Sequence, residues 1–185
     1  MSKEIRMFKV EADESEDMVI EGYAATFENP ATHGFTEVVD RKAFDTTNMK
    51  DVCMKYNHSD EHPILARTRN GSLQLNVDDR GLKIRANLID TNSNRDIYKM
   101  IKSGLLDKMS FAFTVSEEEW DYETDTRRIL SIDKLYDVSV VDVPFYDSTE
   151  VFARSMDEYQ KEKEKYEALK LAKAKAKAKM ELSLN

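Results

Sequence analysis

The sequence predicts an α+β fold in which strands outnumber helices. Several segments alternate large apolar residues with small or polar ones, which is the period of a half-buried strand, whereas helical spacing is confined to short stretches. The exception is the C-terminal part from Ser155 to Met180, which lacks Gly and Pro and favours a long helix. With 185 residues, the chain has room for one domain with a sizeable core plus this tail. Strands with a few packed helices indicate a domain built on a β-barrel.

Residues 51–60 predict a strand that ends in a polar turn. The apolar half of the strand contains Cys53 between Val52 and Met54, so this cysteine is expected in the core rather than as a nucleophile. A single cysteine excludes an internal disulfide framework and suits a reducing cytoplasm. His58 falls at the strand end, where its side chain can reach a cleft.

Two hairpins are predicted farther along the chain. The first covers residues 73–88, where apolar and polar residues alternate on both sides of a turn at residues 78–81. Residues 117–127 are mostly charged or polar and are expected to form the exposed connection of the second hairpin. This connection leads into a strand that contains Ile129 and Ile132.

A short helix is predicted between these hairpins. Its apolar residues Ile97, Ile101 and Leu105 recur at four-residue steps and so form one buried face. Asn92 or Ser93 is the expected N-cap, and Gly104 is expected to end the helix. These choices follow from the residue types that favour helix ends.

The strand of residues 109–115 is the most informative segment. Its large apolar residues alternate with Ser110, Ala112 and Thr114, so one face would be buried and the other would carry a hydroxyl among small neighbours. The second face would then have room for a substrate. A serine in a strand is most often a polar residue on a solvent face, so Ser110 needs partners before it indicates chemistry.

Partners for Ser110 are available on other predicted strands. Within residues 135–144, Asp137 and Ser139 share one face. The opposite face carries Tyr136, Val138 and Val140. A serine hydroxyl needs a base near pH 7 to take its proton, and the base needs an acceptor that orients it. His58 and Asp137 could supply these two roles.

The C-terminal tail, residues 154–185, differs in charge from the rest of the chain. It carries nine Lys and Arg against six Asp and Glu, a net of +3, whereas residues 1–153 carry 19 against 30, a net of −11. Its Ala, Lys, Glu and Leu favour a solvated helix, and its few large apolar residues do not sustain a coiled-coil seam. Interleaved acids and the acidic body oppose phosphate binding, so a nucleic-acid partner is not expected.

The composition also excludes other classes of protein. No apolar run approaches the roughly 18 residues that span a bilayer, and the first residues lack a hydrophobic signal region. We therefore expect a soluble protein that is neither secreted nor bound to a membrane. Glycine-rich phosphate loops, Cys pairs and dinucleotide fingerprints are missing, so no cofactor is expected.

The order and context of these residues are similar to those of one known family. The matching segments are Tyr56-Asn-His58, Ser110, Leu135-Tyr-Asp-Val-Ser-Val-Val141, Glu21-Gly-Tyr-Ala-Ala-Thr-Phe27 and Glu37-Val-Val-Asp-Arg-Lys-Ala-Phe44. Over roughly residues 5–153 the chain resembles the tailed-phage (caudovirus) prohead proteases, which are serine proteases related to herpesvirus assemblins. By position, the resemblance implies Ser110 as the nucleophile, His58 as the base and Asp137 as the third member.

The resemblance also implies a fold and a biological role. The fold would be a herpesvirus-protease-like β-barrel formed by residues 1–153, followed by the helical tail of residues 154–185. The activity would be that of a serine endopeptidase inside the immature phage capsid, in the cytoplasm of the host. Its substrates would be the scaffold, the major capsid protein and the enzyme itself, and self-association is compatible with it. The tail would dock the enzyme to scaffold or capsid protein, or be removed by self-cleavage.

Several alternatives remain at the level of sequence. At the third catalytic position relatives commonly carry glutamate. The herpesvirus enzymes carry histidine there, so His62 or His33 could take the place of Asp137. The cluster from His58 to His62 could bind a divalent metal in a hydrolase, but it lacks helical ligand spacing, and we expect no metal. Arg127 and Arg128 are expected to be surface charges or salt-bridge partners. A non-catalytic capsid scaffold or assembly protein is the main functional alternative.

Overall fold

The computed structural model describes residues 4–12, 18–32, 35–142 and 150–183. These ranges form ten strands, two α-helices and one short 3₁₀ helix, η1 (Thr68–Asn70). The strands are β1 (Glu4–Ala12), β2 (Val19–Thr26), β3 (Ala31–Thr32), β4 (Thr36–Val39), β5 (Cys53–Tyr56), β6 (Ala66–Arg67), β7 (Leu73–Val77), β8 (Gly81–Asn87), β9 (Lys108–Asp121) and β10 (Thr126–Val141). The α-helices are α1 (Asn92–Lys102) and α2 (Glu150–Ser183). The fold is α+β and mostly β, as predicted.

The strands join in one open sheet and do not form the predicted barrel. Their order is β3-β4-β10-β9-β1-β2-β8-β7, and β5 and β6 branch from β10. A barrel requires its terminal strands to pair with each other. In the described ranges, β3 pairs with β4 alone and β7 with β8 alone, so the ends of the path stay apart.

Strand β10 is the strand on which the site depends. One of its edges pairs antiparallel with β9 over nearly its full length. Its other edge is divided between two short parallel strands, with residues 126–129 against β4 and residues 137–140 against β5. Because β5 runs beside the second half of β10, the residues after β5 are delivered to the same end of the sheet as Asp137.

The core lies on one face of β9 and β10. Met109, Phe111 and Phe113 are fully buried, as the alternation predicted, and the last two rings stack with centroids 4.5 Å apart. The other face of β9 is buried too: Ser110 and Ala112 are 0% exposed. The sequence predicted an open face here. It could not show that β9 lies inside the sheet, between β1 and β10.

The alternation predicted for β10 fails at a β-bulge beside the site. The register shifts between Leu135, which pairs with Phe113, and Asp137, which pairs with Ala112. Leu135 therefore joins Val138 and Val140 in the core, whereas Tyr136, which was expected on that face, is half-buried. A bulge inserts one residue and re-aims the side chains that follow it.

The predicted hairpins are present, but the second is longer than expected. Strands β7 and β8 pair across the turn at residues 78–81, where Gly81 is required because a Cβ there would lie 2.0 Å from the Ala25 carbonyl oxygen. Residues 117–121 continue β9, and residues 126–127 already belong to β10. The exposed connection is thus limited to residues 122–125. The sequence predicted a loop at residues 117–121 because they are polar, but a strand with a solvent-facing side can be polar too.

Helix α1 begins one or two residues earlier than the sequence predicted. Its N-cap is Thr91, whose side chain accepts a hydrogen bond from the backbone N–H of Asn94, rather than Asn92 or Ser93. Gly104 lies just beyond the C-cap with φ of 76°, as expected of the residue that ends a helix. Since the helix ends at Lys102, Leu105 falls outside the predicted apolar face and is 70% exposed.

Helix α2 confirms the predicted helical tail and packs against the hairpin of β9 and β10. The Tyr159 ring lies 5.1 Å from that of Trp120 and 5.4 Å from that of Phe35. Tyr166 lies 5.2 Å from the ring of Tyr122. Residues 171–177 are exposed. Neither α-helix of the described ranges is long and apolar enough to cross a membrane.

Candidate active site

His58 lies in a turn that immediately follows β5. Asn57 and His58 both have left-handed backbone conformations, with φ of 52° and 54°. The Asn57 backbone N–H donates to the Val140 carbonyl, and its side-chain oxygen accepts from the Asp142 N–H. These bonds attach the turn to the end of β10. Non-glycine residues adopt such conformations at a cost of about 1–3 kcal/mol each and cluster at functional sites, although Glu28 and Asp125 adopt them elsewhere in this structure.

The turn brings His58 into contact with Asp137. His58 Nδ1 lies 2.5 Å from Asp137 Oδ1, and the two side chains are 8% and 1% exposed. A buried carboxylate that accepts from Nδ1–H orients the ring and leaves Nε2 as the nitrogen available to a proton. The pair therefore has the arrangement of a base and the group that orients it.

Ser110 faces the same side of the sheet as this pair. In the register of β9 and β10, Ser110 is directly opposite Ser139, and Ala112 is directly opposite Asp137. Directly opposed residues project to the same face, with Cβ atoms about 4.5–5.5 Å apart. Serine, imidazole and carboxylate thus come from β9, from the turn after β5 and from β10.

Two polar atoms stand out for their lack of partners. Among the described residues, His58 Nε2 and Ser110 Oγ are the buried side-chain atoms without a hydrogen-bond partner. Buried polar groups are normally paired, and an exception costs roughly 1–3 kcal/mol. These are also the two atoms between which a proton would pass in serine-based catalysis; they do not bond each other in this structure, and nucleophile and base are often farther apart when no substrate is bound.

Lys55 adds a positive charge on the same face. It is the partner of Ser139 in the register of β5 and β10, and its amine is paired with Asp60. Burial acts to lower the pKa of Lys55, but the bond to Asp60 and the charge of Asp137 outweigh burial and raise that pKa above its ordinary value. Because the amine keeps its proton at neutral pH, Lys55 does not serve as a base.

His62 is not placed to replace Asp137. His62 lies edge-on to the Tyr56 ring, with centroids 5.5 Å apart, and is exposed. His33 lies outside the described residues. Within the described ranges, no three His, Cys, Asp or Glu side chains are grouped to hold a metal ion.

The two arginines are salt-bridge partners, in line with the sequence analysis. Arg127 is not on the surface, however: it is 5% exposed and pairs with Glu37 at 3.0 Å and with Glu118. Arg128 pairs with Glu28 and Asp40. Arg127 thereby ties β10 to β4 and to β9 at the hairpin end, where α2 packs.

Two further residues lie at the site: Ser139, to which the sequence analysis gave no role, and Cys53, which it expected in the core. Ser139 Oγ donates to Asp137 Oδ1 at 3.0 Å and lies 3.1 Å from His58 Nδ1. The sequence shows that Ser139 follows Asp137 by two residues on one strand. This spacing predicts that they share a face, but it does not predict a hydrogen bond between them. Cys53, expected in the core, is half-buried and is the register partner of Asp137.

Comparison with known proteins shows clear similarity. Residues 6–162 match the family model of the caudovirus prohead serine protease. The chain is also similar to the Prohead protease of Escherichia phage T5, with 32% identity over 154 residues that cover 80% of this chain and 69% of that protein. No solved structure is significantly similar to the chain.

Proposed function

Because the chain belongs to the caudovirus prohead serine protease family, it is a serine protease of phage head maturation, and we propose that Ser110 is its nucleophile. His58 is then the general base and Asp137 the group that orients it. One observation carries the proposal: His58 is bound to buried Asp137 through Nδ1, while His58 Nε2 and Ser110 Oγ are both buried and unpartnered. The three residues occupy the positions that the family resemblance marks.

The mechanism is acyl transfer to water. His58 Nε2 takes the Ser110 proton as the hydroxyl oxygen attacks a peptide carbonyl, and the tetrahedral intermediate collapses with transfer of that proton to the leaving amine. Asp137, 2.5 Å from Nδ1, stabilises the imidazolium formed in between. Water then enters and gives a proton to His58 as its oxygen attacks the acyl carbon. The bond from that carbon to Ser110 Oγ breaks, His58 returns the proton to Oγ, and the product acid is released.

The substrates in this proposal are proteins of the immature capsid. The name of the family and that of the phage T5 relative both place the protease at the prohead. We therefore assign scaffold and major capsid protein as substrates, with this chain itself as a third, and the prohead within the host cell as the place of action. A protease confined with its substrates needs little intrinsic affinity, because its local concentration is high.

We also propose that catalysis and docking belong to different parts of the chain. All three proposed catalytic residues lie within residues 1–153. Residues 154–183 belong to α2, and the exposed residues 171–177 of this tail contain three lysines and no acid. This stretch would dock the enzyme to an acidic surface of scaffold or capsid protein, since opposite charges raise the rate of encounter.

The proposal is tested by co-expression with the major capsid protein of the same phage. Wild type, Ser110→Ala and Ser116→Ala are compared by intact mass of both polypeptides. Ser116 is the matched control, because it lies on β9 but is exposed, with its hydroxyl bonded to Ser131. We expect shortened capsid protein with wild type and Ser116→Ala and full-length capsid protein with Ser110→Ala. Equal cleavage with all three variants would move the nucleophile elsewhere.

A further inference from the structure

Ser139 is buried in the middle of the site without a role in the mechanism above. It is 0% exposed, and its Oγ lies 3.0 Å from Asp137 Oδ1 and 3.1 Å from His58 Nδ1. Together with the 2.5 Å bond between His58 and Asp137, these distances form a closed triangle of three polar atoms. A serine that faced solvent would not make two such contacts.

The protons of this triangle can be assigned by chemistry. An ionised carboxylate only accepts hydrogen bonds, so Asp137 Oδ1 receives one proton from His58 Nδ1 and one from the Ser139 hydroxyl. Ser139 has a single proton, and once it is donated to Asp137 the oxygen can only accept from His58. The Nδ1–H of His58 therefore points between two oxygens, the carboxylate of Asp137 and the hydroxyl of Ser139.

We propose that Ser139 is a positioning residue that holds the Asp137–His58 pair in the orientation that turns Nε2 toward Ser110. The terminal torsion of an aspartate has a broad energy well. The Ser139 hydroxyl bonds the same Asp137 oxygen that His58 contacts, and this bond from two residues along the strand restricts rotation of the carboxylate. Holding the acceptor also holds the imidazole, because the ring follows its Nδ1–H bond. This inference rests on the proposed catalytic roles.

The register of the sheet gives Ser139 a second connection to the reaction. Ser139 is directly opposite Ser110 across β10 and β9, and directly beside Lys55 across β10 and β5. Ser139 thus contacts His58 and Asp137, and it is also the cross-strand neighbour of Ser110. Ser139 is not itself placed to be the nucleophile, because it lies at Nδ1, the imidazole nitrogen already bound to Asp137.

The test is a double-mutant cycle on purified protease with purified capsid protein as substrate. Wild type, Ser139→Ala, Asp137→Asn and the double variant are compared by kcat and KM, with Ser116→Ala as control. We expect Ser139→Ala to lower kcat about tenfold with KM within about twofold, in the range seen for residues that orient catalytic groups. The double variant should be no slower than Asp137→Asn alone, because Ser139 acts through Asp137.

An unchanged kcat for Ser139→Ala, a loss that multiplies with that of Asp137→Asn, or an effect confined to KM would each overturn the inference. A second readout does not need activity. The His58 Nδ1 proton, identified by its loss in Asp137→Asn, should resonate far downfield in the proton NMR spectrum and shift in Ser139→Ala but not in Ser116→Ala. If wild type and Ser110→Ala cleave equally, the catalytic assignment fails. The His58 Nδ1 resonance still decides whether Ser139 holds Asp137 and His58 in place. A resonance that does not shift in Ser139→Ala overturns the inference.

Discussion

At the scale of single residues, this protein departs from ordinary structural rules where its chemistry is proposed to occur. His58 has a left-handed backbone, and His58 Nε2 and Ser110 Oγ are buried without partners. A core selected only for stability would pair these groups or replace them with apolar ones. The two unpartnered atoms therefore mark the site independently of any family resemblance, whereas left-handed backbone also occurs at Glu28 and Asp125.

Replacement of Ser110 by alanine should make the protein more stable while it removes activity. The hydroxyl is fully buried and unpartnered, so its removal relieves a desolvation cost without breaking a bond. We expect the free energy of unfolding to rise by about 1 kcal/mol. Urea denaturation of wild type and Ser110→Ala measures this difference. A less stable Ser110→Ala variant would show that the hydroxyl has a structural partner after all.

At the scale of elements, the decisive contact is that between α2 and the hairpin of β9 and β10. Tyr159 is 4% exposed and packs on Trp120 and Phe35, and its hydroxyl donates to Asp125 at 2.5 Å. One turn farther along α2, Lys163 donates to the same carboxylate at 2.6 Å. This part of α2 is thus joined to the body by rings and by charge together.

Removal of the Tyr159 ring should weaken this contact strongly. Tyr159→Ala deletes an aromatic ring buried between two others, and we expect a loss of about 3 kcal/mol in the free energy of unfolding. Tyr159→Phe is the matched control, since it keeps the ring and loses only the hydroxyl's bonds to Asp125 and from Lys163, each worth about 1 kcal/mol. Thermal or urea denaturation compares the three proteins. Equal stability of Tyr159→Ala and wild type would mean that α2 does not pack on the hairpin in solution.

The same contact should weaken in acid. Hydrogen bonds from Lys163 and Tyr159 lower the pKa of Asp125, and those from Lys170 and Tyr166 lower the pKa of Glu123. A lowered pKa means that the folded state favours the anion. The stabilisation is therefore complete above the unfolded values near pH 4 and is lost as the pH falls through the lowered ones.

Trp120 reports this change because it is the one tryptophan of the chain and touches Tyr159. We expect a step in its fluorescence below about pH 4 as the α2 contact loosens. The double variant Asp125→Asn with Glu123→Gln should lack this step, since neither side chain then titrates. Persistence of an identical step in the double variant would assign the change to other carboxylates.

At the scale of the whole molecule, the open sheet gathers the proposed site from three distant segments. Strand β10 pairs with β9 on one edge and with β5 on the other, so Ser110, Asp137 and the turn of His58 meet at one place. The opposite end of the same hairpin binds α2. The sheet therefore separates the proposed catalytic residues from the tail.

This separation predicts that the end of the tail is dispensable for folding and for the chemical step. A chain that ends at residue 170 keeps Tyr159, Lys163 and Tyr166, whereas one that ends at residue 156 loses them. We expect the first to unfold within about 2 °C of wild type and the second several degrees lower. Calorimetry measures both midpoints. A lower kcat on purified capsid protein for the chain that ends at residue 170 would contradict the separation, whereas a higher KM would report loss of the proposed docking.

Much of the fold could be predicted because its signals are local. The hairpin of β7 and β8, the ending of α1 near Gly104, and the helical character of α2 follow from alternation, turn residues and helix propensity. One error was local: Leu105 lies beyond Gly104, which ends the helix, and is exposed. The other arose where distant segments decide, because Tyr136 leaves the core face at a bulge in the pairing of β10 with β9.

The sequence by itself determined which side chains are candidates for the chemistry, because the type of each residue and its neighbours along the chain can be read directly. The tertiary structure alone decided how they meet. It selected Asp137 over His62 as the partner of His58, placed Ser139 between them, buried Ser110 and left the sheet open. The physical reason is that strand periodicity indicates faces only, whereas pairing register, bulges and turn geometry arise from contacts between residues far apart in the sequence.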